Sequence, residues 1–166
     1  MEPTIGIEIE KAIRFLSLHM PFANESTKKP TLFHGIRVGI YLYMNGYSQG
    51  IVIAGFLHDI LEDTSVKEEE LIHHFGVEVT RLVSACTKDR KIKDSDERTK
   101  ELIQRCAQQG ENALIVKTAD ILDSFSYYTK TNNINEIQYC LKNVHEIVKN
   151  KSETFKDPLF EELKTW

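Results

Sequence analysis

The run His58-Asp59-Ile60-Leu61-Glu62-Asp63 places four ionisable side chains at the end of an apolar stretch, Ile51 to Leu57. On a helix these four positions, i, i+1, i+4 and i+5, share one face. Three carboxylates at a helix C-terminus oppose the macrodipole, at a cost of roughly 0.3–1 kcal/mol each. Helix stability does not explain them; a bound cation would, because it reverses the local electrostatics. The alternatives are a solvated Glu62 and Asp63, and a buried His58–Asp59 hydrogen bond without an ion. Two further residues fit a metal centre. His34 follows the Pro30 loop, and Asp120 sits in the apolar segment Val116-Lys117-Thr118-Ala119-Asp120, where an aspartate is costly unless partnered. Two histidines and two carboxylates suit a six-coordinate divalent ion better than structural zinc.

The elements that must carry these residues read as helices. Ile5, Ile9, Ala12, Ile13 and Leu16 form one stripe of a first helix. Pro21 to Pro30 reads as a loop. A second helix is expected from about Thr31 to Asn45, ended by Gly46, and a third from about Ser48 to Asp63, apolar nearly all round and therefore central. Ser65-Val66-Lys67-Glu68 has the pattern of a capping box for a short fourth helix ending near Phe75-Gly76. Further helices are expected at about Val77–Thr87, Ser95–Gln109, Glu111–Thr129 and Ile134–Lys149, with a short one after Pro158. Sustained alternation of apolar and polar residues is not found, so the fold class is all-α, a single-domain bundle of about eight helices spanning 1–166. Its core is expected over about 28–150, with 151–166 a tail or short helix.

Composition narrows the function classes. The 166 residues carry 21 Lys and Arg against 25 Asp and Glu, a net charge of −4. A nucleic-acid polymer is thus a poor partner, while a local basic pocket for a phosphorylated small molecule remains open. Cys86, Cys106 and Cys140 are odd in number, far apart and without a CxxC pair, which points to buried thiols in a reducing cytoplasm. Met1-Glu2-Pro3-Thr4 does not open a secretory signal. Val38 to Leu57 is uncharged, but Asn45-Gly46-Tyr47-Ser48 interrupts it with turn chemistry, so no membrane span is expected. An apolar face on the eighth helix, Ile137, Leu141, Val144 and Val148, is either core or the contact of a homodimer.

The set His34, His58-Asp59 and Asp120 resembles the metal signature of the HD-domain phosphohydrolases. Phe56-Leu57-His58-Asp59-Ile60-Leu61-Glu62-Asp63-Thr64 is similar to the central segment of the RelA/SpoT-type alarmone hydrolases within that superfamily. Phe75-Gly76-Val77-Glu78-Val79, Ala85-Cys86-Thr87-Lys88 and Val116–Asp120 resemble three further family motifs, in the same order. The resemblance covers about Lys28 to Tyr128. It implies an all-helical enzyme with one divalent ion, usually Mn2+, held by His34, His58, Asp59 and Asp120. Glu62 and Asp63 would then orient and deprotonate the attacking water, and the reaction would release pyrophosphate from the 3′ position of (p)ppGpp. A phosphomonoesterase acting on another nucleotide and a non-catalytic nucleotide-binding regulator are the competing readings. Two departures bear on substrate: Lys28-Lys29 stands closer to the first histidine than the family's basic pair, and Asp123-Ser124 replaces its usual histidine or aromatic and asparagine.

Other residues offer chemistry around that core. Lys28 and Lys29 can steer an anion or simply be surface lysines. Lys117, one turn before Asp120, can meet a phosphate or pair with that aspartate. Ser124 and Tyr127 continue the helix face, Tyr127 as a base-stacking group or as core. Arg37, one turn after His34, can face the pocket. Asp123 would repel a phosphate, so it is expected to point outward or toward a base or sugar. Lys88, Arg90, Lys91 and Lys93 alternate with acids and read as a solvated loop rather than a phosphate patch. His73 and His74 read as partly exposed, and His19 and His145 as isolated.

Overall fold

The computed structural model describes residues 3–21 and 28–165, and all regular structure in them is helical. The helices are α1 (Pro3–His19), α2 (Thr31–Met44), α3 (Gln49–Leu57), α4 (Ile60–Asp63), α5 (Glu68–Cys86), α6 (Ser95–Gln109), α7 (Glu111–Lys130), α8 (Ile134–Asn150) and α9 (Pro158–Leu163). Most of the expected loop before Pro30, and the start of the chain at 1–2, lie outside the described residues.

Two helices form the centre. Every residue of α3 from Ile51 to Leu57 is buried, as its uncharged sequence requires, and so is every residue of α7 from Ala113 to Leu122. A single apolar cluster runs from Ala12 in α1 to Leu163 in α9. The α2–α3 crossing is close because glycines form it. A Cβ at Gly39 would lie 2.3 Å from the Phe56 ring, and one at Gly55 would lie 2.4 Å from Leu42 Cδ1. The crossing brings His34 and His58 to the same depth. The three thiols are buried, as expected. No described helix is long and apolar enough to cross a membrane.

Three local expectations are corrected. The third helix does not run to Asp63: it ends at Leu57, and a new turn begins at Ile60. The His58 ring sits 2.8 Å from the Gly55 carbonyl, the acceptor that the Asp59 amide would use in an unbroken helix. Nor does Ser65 cap the next helix. Lys67 occupies the cap position, Thr64 Oγ1 accepts from the Val66 amide, and Glu68 is turned to Ser84. The two helices expected on either side of Gly76 meet as one kinked element, with Gly76 at φ 83°, a conformation glycine adopts without strain. On α8, Ile137 and Val144 pack against the core while Leu141 and Val148 are exposed.

Candidate metal centre

α2, the α3–α4 junction and α7 bring four side chains together: Asp59 and Asp120 line one cavity, and His34 and His58 lie buried against them. His34 and His58 are buried with their Nε2 atoms 3.0 Å apart, and Asp120 Oδ1 lies 3.0 Å from the first and 3.6 Å from the second. Asp59 Oδ2 is 3.2 Å from His58 Nε2 and 3.8 Å from His34 Nε2. Ligand atoms of His34, His58 and Asp120 all lie within 4.8 Å of one another. Consecutive residues 58 and 59, both at the junction of α3 and α4, reach one point.

The outer ring nitrogens define what the inner ones offer. His34 Nδ1 is 2.6 Å from Asp123 Oδ2, and His58 Nδ1 faces the Gly55 carbonyl. Both partners accept only, so each Nδ1 carries a hydrogen, and Nε2 is the atom that each neutral ring can offer to an ion. Burial alone would lower the His58 pKa; Asp59 and Asp120 reverse this and carry it up to about 10. Burial would raise Asp120, but Lys117, Lys29 and the two histidines hold its carboxyl well below the usual range. The site demands positive charge at its centre, and a divalent ion on nitrogen and oxygen donors fits that demand.

Cations already crowd the floor. Lys29 Nζ contacts His34 Nε2 at 2.8 Å and Asp120 Oδ1 at 3.3 Å, and also donates to Ser124 Oγ. Lys117, buried, donates to Asp120 Oδ2 at 2.7 Å, so the pairing alternative for this lysine is the one seen. Burial alone would lower its pKa; Asp120 reverses this and drives it well above the ordinary value. Ser124 donates to the Asp120 carbonyl at 2.8 Å.

The cavity, about 710 Å³, is lined by Lys28, Lys29, Lys88, Arg90, Lys93, Arg98 and Lys117, interleaved with Asp59, Glu62, Asp63, Asp120 and Glu136. The loop lysines Lys88 and Lys93 and Arg90 thus face the site instead of solvent alone, a correction to the sequence reading; Lys91 does not line it. Folding decides this, because Glu62 accepts from the Lys88 amide at 3.1 Å and from Lys88 Nζ at 2.8 Å, and its carbonyl accepts from Arg90 at 2.6 Å. Asp63 also lines the cavity; burial, together with the charges of Asp59 and Glu62, raises its pKa.

The profile of the HD-domain family, described as "HD domain", matches residues 12–139. The chain belongs to the HD-domain family. Over 135 residues this HD domain is 37% identical to a protein of Mycoplasma pneumoniae named probable guanosine-3′,5′-bis(diphosphate) 3′-pyrophosphohydrolase, covering 75% of the chain but 18% of that relative. Over 97 residues it is 32% identical to MESH1 of Drosophila melanogaster, named a guanosine-3′,5′-bis(diphosphate) 3′-pyrophosphohydrolase, covering 57% of the chain and 54% of that protein. The chain therefore spans less than a fifth of the first relative and about half of the second. In shape the HD domain resembles a solved structure reported as "A metazoan ortholog of SpoT hydrolyzes ppGpp and plays a role in starvation responses". The TM-score is 0.77 at 22% identity, over 95% of this chain and 92% of that one. That likeness shows the all-α HD fold.

Several expected site residues land elsewhere. Tyr127 is not among the cavity-lining residues; it packs beside Tyr128, with the Arg37 guanidinium 5.7 Å from its ring centre. The lining stripe of α7 is Lys117, Asp120, Ile121, Ser124 and Tyr128, and Tyr127 falls just beyond its edge toward α2. Tyr128 and Tyr139, missed in the sequence, stand on the wall. Asp123 points neither outward nor into the cavity but back onto His34 and Arg37. Two opposite charges, each three residues beyond a metal-ligand candidate, were the available signal for that pair.

Proposed function

We propose that this HD domain is a divalent-metal-dependent phosphohydrolase that converts (p)ppGpp to the 5′-nucleotide and pyrophosphate. The observation that carries the reading is the convergence of His34, His58, Asp59 and Asp120 at one end of a cavity that seven Lys and Arg side chains line. The names of the relatives supply the substrate class. His34, His58, Asp59 and Asp120 would hold the ion, Mn2+ in this reading. When bound, the ion supplies positive charge that acidifies water and neutralises phosphate. Asp63, its pKa raised by burial, accepts a proton from the attacking water, and Glu62 fixes the segment beside it. Lys28, Lys29, Lys117 and Ser124 complete the anion-facing floor, with Lys88, Arg90 and Lys93 meeting the outer phosphates. Water adds to the phosphorus next to the 3′ oxygen, that oxygen–phosphorus bond breaks, and the departing oxygen takes up a proton to become the 3′ hydroxyl as pyrophosphate leaves.

The test is product analysis. Purified protein with Mn2+ should turn ppGpp into GDP and pyrophosphate in equal amounts. Orthophosphate from a nucleotide 3′-monophosphate, with ppGpp left intact, would instead support the phosphomonoesterase reading. Binding without turnover of any nucleotide would support a regulator.

A further inference from the structure

His34 and His58 face the same point, but what stands behind them differs. Behind His58 is a neutral carbonyl, Gly55 O, at 2.8 Å. Behind His34 is the carboxylate of Asp123, with Oδ2 at 2.6 Å from Nδ1. Arg37 grips both oxygens of that carboxylate, Nε to Oδ1 and Nη2 to Oδ2, each at 2.7 Å. The guanidinium lies against two rings, Phe33 at 4.9 Å and Tyr127 at 5.7 Å. The order from the outside inward is therefore aromatic pair, arginine, carboxylate, imidazole and cavity.

We propose that Asp123, clamped by Arg37, is a positioning residue that makes His34 the stronger of the two imidazole ligands and so sets the affinity of the site for its divalent ion. The proposal rests on the metal reading given above. A carboxylate at Nδ1 fixes both the tautomer and the ring orientation. It also pushes electron density toward Nε2, making that atom a better donor than one backed by a peptide carbonyl. Asp123 must remain ionised to do this in a largely buried position, and the two-pronged contact from Arg37 supplies the compensating charge. Both charges lie on rigid helices, α2 and α7, so the arrangement is held before any ion arrives.

The test is calorimetric titration of the metal-free full chain with Mn2+ alone, with Co2+ absorption spectra as a second readout. Asp123→Asn keeps the size of the side chain and can still accept from His34, but lacks the charge. It should weaken Mn2+ binding by about 10- to 100-fold and shift the Co2+ ligand-field bands. Arg37→Gln leaves the carboxylate in place and should weaken binding less. Should Asp123→Asn fail to fold, Arg37→Gln alone decides: any loss of affinity with altered Co2+ bands supports the proposal, and wild-type values overturn it. Wild-type affinity in a folded Asp123→Asn protein overturns it too. No Mn2+ binding by the wild type would overturn the metal reading and this proposal with it. Tight binding without ppGpp turnover would overturn only the substrate.

Discussion

Glu62 and Asp63 are neighbours in sequence with different situations. Both carboxylate oxygens of Glu62 are taken by Lys88, through its amide and its ammonium. Asp63 has a looser ion pair, with Arg90 at 3.9 Å, and a raised pKa. In the proposed reaction the proton-accepting role would therefore fall to Asp63, while Glu62 holds the 88–93 segment against the cavity. Asp63→Asn should lower kcat by about 10²- to 10⁴-fold with little change in KM. Glu62→Gln should act mainly by raising KM, because the wall that meets the phosphates loosens. Steady-state kinetics on ppGpp separate the two, and equal kcat losses would place Glu62 on the water as well. The clustering of His34, His58, Asp59 and Asp120 was legible in the sequence, because histidines and carboxylates in apolar segments need a physical reason to be there. Tyr127 and Asp123 were not legible. Their direction depends on how α7 is rotated against α2, and a stripe counted from Asp120 alone does not fix that rotation.

At the level of elements, the geometry of the site depends on the α2–α3 crossing. Gly39 lies against the Phe56 ring and Gly55 against Leu42, with no room for a methyl group at either. Gly39→Ala should push the helices apart and cost roughly 1–3 kcal/mol in urea unfolding. It should also weaken Mn2+ binding, since His34 and His58 ride on the two helices. Unchanged stability and affinity would mean that Phe56 can swing aside. Helix positions came through in the sequence because apolar residues repeat with the helical period, and Gly46, Gly76 and Gly110 stop or bend the elements where expected. The break after Leu57 did not, because a side chain takes the carbonyl that the next amide would use. The absent Ser65 cap has a similar origin: Ser84 takes the Glu68 carboxylate that the box would have used.

Taken whole, the molecule gathers basic side chains at one cavity. The net charge is −4, yet seven Lys and Arg side chains line one cavity. Composition alone could not reveal this, because Lys28 and Lys29 before α2, the 88–98 segment and Lys117 in α7 become neighbours only on folding. The three elements that build the site, α2, the α3–α4 junction and α7, also span the core, so one ion would tie the centre of the fold together. The most direct test is to titrate metal-free protein with Mn2+ while following ppGpp breakdown and bound metal in the same samples. GDP and pyrophosphate should appear in proportion to one bound ion per chain, and Asp59→Ala should neither bind the ion tightly nor turn over. Breakdown of ppGpp in excess chelator, or intact ppGpp beside a fully loaded site, would contradict the account.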